Sequence, residues 1–154
     1  MKKHPAYWFV APVLLVVGIA LGCQSSDEKL PEVVVDRSEC AKCRMLISDA
    51  RFAGLLKTSE YLMFDDLGCM LSYQLNVHPQ DLRGSWVRDY YSNTWIETKD
   101  AIFYRQDDIK TPMGYGYVGA SKRDSEPAAT KIAVRLENST ALQEDFKQRF
   151  LAAQ

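Results

Sequence analysis

Cys40-Ala41-Lys42-Cys43-Arg44-Met45 is the densest chemical signal in the chain. A thiolate and a thioether two residues apart, at Cys43 and Met45, form a soft donor pair suited to Cu(I), which favours sulfur ligands and a low coordination number. In extended backbone, positions i and i+2 point to one side, so the two sulfurs are expected to converge on one ion. A second thioether is offered by Met113, in the turn Thr111-Pro112-Met113-Gly114, where backbone tends to lie at the surface. Cys40 and Cys69 are further sulfur candidates. The bland assignments are a surface Cys40–Cys43 disulfide, Met45 and Met113 as core filling, and Cys69 as a small buried hydrophobe.

Two rival constellations use the same cysteines. Cys40, Cys43, Cys69 and His78 would make a Cys3His structural zinc site, although the long gap is not a usual finger or ribbon spacing and His78 precedes Pro79 in a loop. Thiol–disulfide exchange at Cys40 and Cys43 is the other. Such sites normally place the first Cys at a helix N-terminus, whereas the residues after Cys43 read as strand or loop with Arg44 as the nearest positive charge. There is no nucleotide-binding loop, no Ser-His-Asp order and no paired-carboxylate signature.

These side chains have to be positioned by short elements. Residues 33–35 suggest a short first strand. Residues 52–57 and 60–64 read as a hairpin turning at Thr58-Ser59. Asp65 and Asp66 supply acids for the start of a helix with Leu67, Met70, Leu71 and Leu75 on one stripe. Cys69 lies about 200° around from Leu67, off that stripe, while Met63 and Met70 belong to the core. Strands are expected over 85–91, 94–97, 101–105, 115–121 and 131–136, with a loop over 122–130. Ser139 or Thr140 can cap a final helix over 141–151, with Leu142, Phe146 and Phe150 at helical spacing. The order predicts an α+β fold of two small ββαβ-type modules with antiparallel sheets.

Composition bounds the reading. The 154 residues, 47% of them hydrophobic, fit one domain or two very small ones. Nineteen basic against twenty acidic residues argue against a nucleic-acid binder, and two His exclude a site built from several imidazoles. The N-terminus, Met1-Lys2-Lys3 followed by an apolar run to Leu21 and then Gly22-Cys23, has the layout of a secretory signal peptide. The run is shorter than the roughly 20 residues that span a bilayer. Ala20-Leu21-Gly22-Cys23 looks like a bacterial lipobox, so Cys23 is expected to carry lipid. Cleavage before it leaves 132 residues and moves the net charge from −1 to −3. Three thiols remain, an odd number that cannot all pair within one chain. The expected organisation is a signal peptide over 1–22, a lipidated Cys and polar tether over 23–38, and a metal-binding domain over 39–154. A flexible tether of about 15 residues spans about 20 Å.

Together these motifs resemble NosL, the lipoprotein copper chaperone that accompanies nitrous oxide reductase. The resemblance rests on Cys23, on Cys40-Ala41-Lys42-Cys43-Arg44-Met45, on Phe64-Asp65-Asp66-Leu67-Gly68-Cys69-Met70, and on Trp95 followed by Thr111-Pro112-Met113-Gly114-Tyr115-Gly116. It covers roughly residues 38–121, with a weaker match in the final helix. It implies a fold similar to the organomercurial lyase core. It implies binding of one Cu(I) by Cys43, Met45 and Met113, with Cys40 and Cys69 as further candidates. The ion would go to a copper-receiving enzyme such as nitrous oxide reductase, or to its assembly factors, without catalysis. The protein would then face the periplasm or exterior, held to the membrane by lipid on Cys23. The chain departs from the family at Arg44, where Gly is usual.

Overall fold

Residues 54–64 close into a hairpin whose first strand is mostly buried and whose second is half-buried up to Phe64. Strand β1 (Gly54–Lys57) pairs antiparallel with β2 (Tyr61–Phe64), Leu55 opposite Met63. The chain is described by a computed structural model over residues 29–106, 108–121 and 134–152. The expected signal peptide, Cys23, residues 24–28 of the tether and the loop 122–130 lie outside the described residues.

The hairpin leads into helix α1 (Leu67–Gln74), then β3 (Gly84–Arg88) and β4 (Trp95–Glu97) complete a four-stranded sheet in the order β2-β1-β3-β4. Strands β5 (Ala101–Arg105), β6 (Tyr117–Ser121) and β7 (Val134–Leu136) form a second sheet, β6-β5-β7, and α2 (Ser139–Phe150) follows. All strand pairings are antiparallel, and each sheet has one helix. This is the expected α+β arrangement of two modules; in the second, the helix follows the third strand. No helix among the described residues is long and apolar enough to cross a membrane.

One core joins the modules. Phe64, Leu67, Met70 and Leu71 from the first pack with Phe103, Tyr117, Leu142 and Phe146 from the second. Each such side chain contributes about 1.5–3 kcal/mol by leaving water. At the seam the buried Asp89 accepts the N–H groups of Tyr91 (2.8 Å), Ser92 (3.1 Å) and Ser121 (2.9 Å). Burial opposes its charge, yet those donors hold its pKa below the ordinary carboxylate value.

Several local expectations change: Ala50–Phe52 form a 3-10 turn, so the strand expected from 52 begins at Gly54, and the strand expected over 85–91 ends at Arg88, where the Asp89 side chain caps a turn. Residues 33–35 form no strand, because Ser38 N–H bonds back to Val34 O (2.8 Å) and Asp36 takes a left-handed φ of 59°, which turns the chain. Only Val33 of the three is buried. Asn138, rather than Ser139 or Thr140, caps α2 by accepting Ala141 N–H at 3.0 Å. Helix α1 stops at Gln74, which leaves Leu75 exposed beyond the apolar stripe.

Candidate metal centre

Residues 39–46 fold back on themselves. Glu39 bridges Leu46, Cys40 N–H donates to Met45 O (2.8 Å), and Arg44 N–H donates to Cys40 O (3.0 Å). The turn requires a left-handed residue, and Arg44 supplies it at φ 68°. The tight turn is therefore made without Gly, at a cost of about 1 kcal/mol. This also corrects the expectation of extended backbone from Cys43 to Met45: the two are related by a turn, not by strand alternation. Ala41 N–H, bonded to Met63 O at 2.8 Å, ties the loop to β2.

The end of β2 delivers the opposite wall. Phe64 closes the strand and Asp65 and Asp66 follow, both buried. Asp66 caps α1, its Oδ1 accepting Gly68 N–H at 2.8 Å, while its Oδ2 accepts Met113 N–H at 3.1 Å. Its neighbour Asp65 is left to face the thiols. Gly68 is required because a Cβ there would meet the Tyr115 ring at 2.0 Å, so only Gly lets that ring lie on the first turn of α1. Cys69 sits in the same turn.

The sulfurs of Cys40, Cys43 and Cys69 and one carboxylate oxygen of Asp65 all lie within 4.8 Å of one another. Four ligands 2.3 Å from a tetrahedral ion stand about 3.8 Å apart, so small side-chain movements close the group onto a metal. All three cysteines are free, and no disulfide joins Cys40 to Cys43. Cys40 and Cys69 are buried while Cys43 is half-buried. Cys43 Sγ–H donates to Asp65 Oδ2 at 3.5 Å. Asp65 Oδ1 is buried with no hydrogen-bond partner. A polar atom in that state is costly unless something else satisfies it.

The group is electrostatically uneven. The hydrogen bond from Cys69 draws the Cys40 thiol down to about 4, against the opposing effect of burial. The same bond, with burial, pushes Cys69 well above the ordinary thiol value. Burial raises Cys43 to about 11 and Asp65 to about 6, the latter helped by its contact with Cys40. At neutral pH, therefore, Cys40 is poised as thiolate while Cys43 and Cys69 keep their protons. An entering cation would displace those protons, and soft cations reward thiolates most.

Met45 and Met113 lie on the outside. Met45 is 52% exposed and Met113 38%. Thr111 O accepts Gly114 N–H at 3.0 Å, closing the expected turn with Pro112 at its second position. The bond from Met113 N–H to Asp66 fixes this turn beside α1. His78 is exposed at the start of a short 3-10 turn and is not in the group, so the fourth place in a Cys3His set is not filled by it. Asp65 is the candidate ligand that sequence reading does not single out. In sequence it reads as a helix-start acid, and the one signal is that a single cap needs one Asp while the sequence has two.

No family model matches the chain, and no curated protein matches it.

Proposed function

We propose that the protein is a membrane-anchored Cu(I) carrier that binds copper through sulfur and delivers it to an extracytoplasmic enzyme such as nitrous oxide reductase, or to that enzyme's assembly factors. One observation carries this reading: three free thiols gather within 4.8 Å, and the half-buried one, Cys43, is two residues from an exposed thioether. Thiolates and thioethers hold Cu(I) and discriminate against hard ions, which prefer all-oxygen shells. Exposed Met45 and Met113 suit ligand exchange with a docking partner. Lipid on Cys23 would keep the carrier at the membrane, facing the periplasm or exterior. The role needs no catalytic step.

The buried Asp65 favours a second reading, in which the group holds Zn2+ as a Cys3Asp structural site. Titration of the reduced protein against chromophoric chelators separates the two. One tight Cu(I) site, weakened about a hundredfold by Cys43→Ser, is expected of the carrier. Equal binding by Cys43→Ser sinks the ligand assignment. A protein that stays folded and metal-free after chelation excludes structural zinc.

A further inference from the structure

We propose that Tyr115 is a positioning residue of the metal centre: its ring braces the first turn of α1, which carries Cys69, and α2 braces the ring. This rests on the group of three thiols and Asp65 holding a thiophilic ion, whether Cu(I) or Zn2+, and adds a residue from outside that group.

Closing the group onto an ion brings donors that lie within 4.8 Å of one another to about 3.8 Å apart. Each donor then has to be held where the ion needs it. Cys40 is fixed by its own loop, through its N–H to Met45 O, and Asp65 ends a paired strand. Cys69 stands instead on a helix of eight residues. So short a helix has little stability of its own, and tertiary contacts decide where its side chains lie.

Tyr115 supplies such a contact. A Cβ on Gly68, the residue before Cys69, would meet two carbons of the Tyr115 ring at 2.0 and 2.1 Å, so the ring rests on the helix backbone. The same ring stands 5.6 Å from Phe146 and 5.0 Å from Phe150, edge to face with the latter. Arg149 Nη1–H donates to Tyr115 O at 3.2 Å. The backbone beyond the ring is pinned as well, since Gly116 N–H donates to Thr111 Oγ1 at 3.2 Å and Gly116 O accepts Gln106 N–H at 2.9 Å. Burial raises the Tyr115 phenol above its ordinary value, and the groups on Cys69, Asp66, Asp65 and Cys43 add to the rise, as befits a ring beside the donors. The second module thus takes part in a site whose ligands all come from the first.

The test uses the full chain in detergent, reduced and anaerobic, with Co2+ as a spectroscopic probe and Cu(I) in chelator competition. Tyr115→Ala should bind either ion about tenfold more weakly and alter the Co2+ absorption bands, which report ligand geometry rather than fold stability. Tyr115→Phe keeps the ring and should match the parent in both. Gly68→Ala should cost affinity in the parent but little in Tyr115→Ala, where the added methyl has room. Should Tyr115→Ala fail to fold, Tyr115→Leu takes its place with a smaller loss expected. Parent affinity and an unchanged Co2+ spectrum in the Ala or Leu variant overturn the proposal. Equal losses from Gly68→Ala in both backgrounds overturn the link through the ring. A parent protein that takes up neither ion overturns the metal centre and this inference with it.

Discussion

Each module sets an acid at the seam between its helix and its sheet, and the two acids are treated in opposite ways. In the second module Asp145 on α2 forms an ion pair with Arg105 of β5 and accepts the Tyr117 hydroxyl at 2.7 Å. Every strong interaction it needs is made within the protein. In the first module Asp65 faces thiols instead of a cation, and one of its oxygens has no partner. A paired acid fastens a fold, whereas an acid buried among sulfurs leaves positive charge to be supplied from outside.

Substitutions that should move only one side of this contrast test it most severely. Cys69→Ala is expected to lower Cu(I) affinity about a hundredfold, while Asp145→Ala leaves affinity unchanged in the same chelator competition. Comparable losses in both would dissolve the distinction. On stability the order reverses. Asp145→Ala should cost about 2 kcal/mol in denaturant unfolding, since it strands Arg105 and Tyr117. Asp65→Asn should leave the metal-free protein within about 1 kcal/mol of the parent, or above it, because it removes a buried charge. It should also weaken metal binding about tenfold.

Acidity sharpens the contrast further. Cys43 is raised to about 11 and Cys69 is raised too, so both are protonated through the neutral range and must lose protons to bind. Apparent metal affinity should therefore climb with pH, by up to about two log units per pH unit between roughly pH 6 and 8. Affinity independent of pH across competition titrations would remove both thiols from the ligand set. In the other module Tyr117, pushed up to about 12 by burial and by its bond to Asp145, stays protonated over that range.

The smallest effect belongs to the loop backbone. Arg44→Gly relieves the left-handed φ but gives up an exposed ion pair with Glu39 and adds freedom to the unfolded chain. A net gain of about 0.5 kcal/mol is expected by thermal unfolding, with metal affinity within about twofold of the parent. A marked loss of affinity would mean that the arginine itself contributes to the site.

What the sequence could reveal followed the range over which its signals act. The hairpin over 54–64, the helix after Asp66 and the strand Ala101–Arg105 depend on neighbours in the chain, and strand-forming runs, turn residues and capping show them directly, although Phe52 falls in a 3-10 turn ahead of the hairpin. Cys69 defeated the stripe argument because the first turn of α1 is buried all round: Leu67, Gly68, Cys69, Met70 and Leu71 are all enclosed. Asp65 was obscured because two adjacent acids look alike until one is seen to cap and the other to face sulfur. The gathering of Cys40 with Cys69 depends on the Ala41–Met63 bond and on the end of β2, and residue spacing encodes neither.

The hydrogen bond from Met113 to Asp66 joins residues 47 positions apart. Contacts of such separation require closure of a long loop, so they form late in folding. The turn that carries Met113 therefore reaches its place beside α1 only after the second sheet has docked on the first. Cys40, Cys43, Asp65 and Cys69 all belong to the first module and can gather before that turn is in position. The order of synthesis thus sets the order of assembly: the group of thiols can form first, and the turn that carries Met113 joins it once the second sheet has closed on the core.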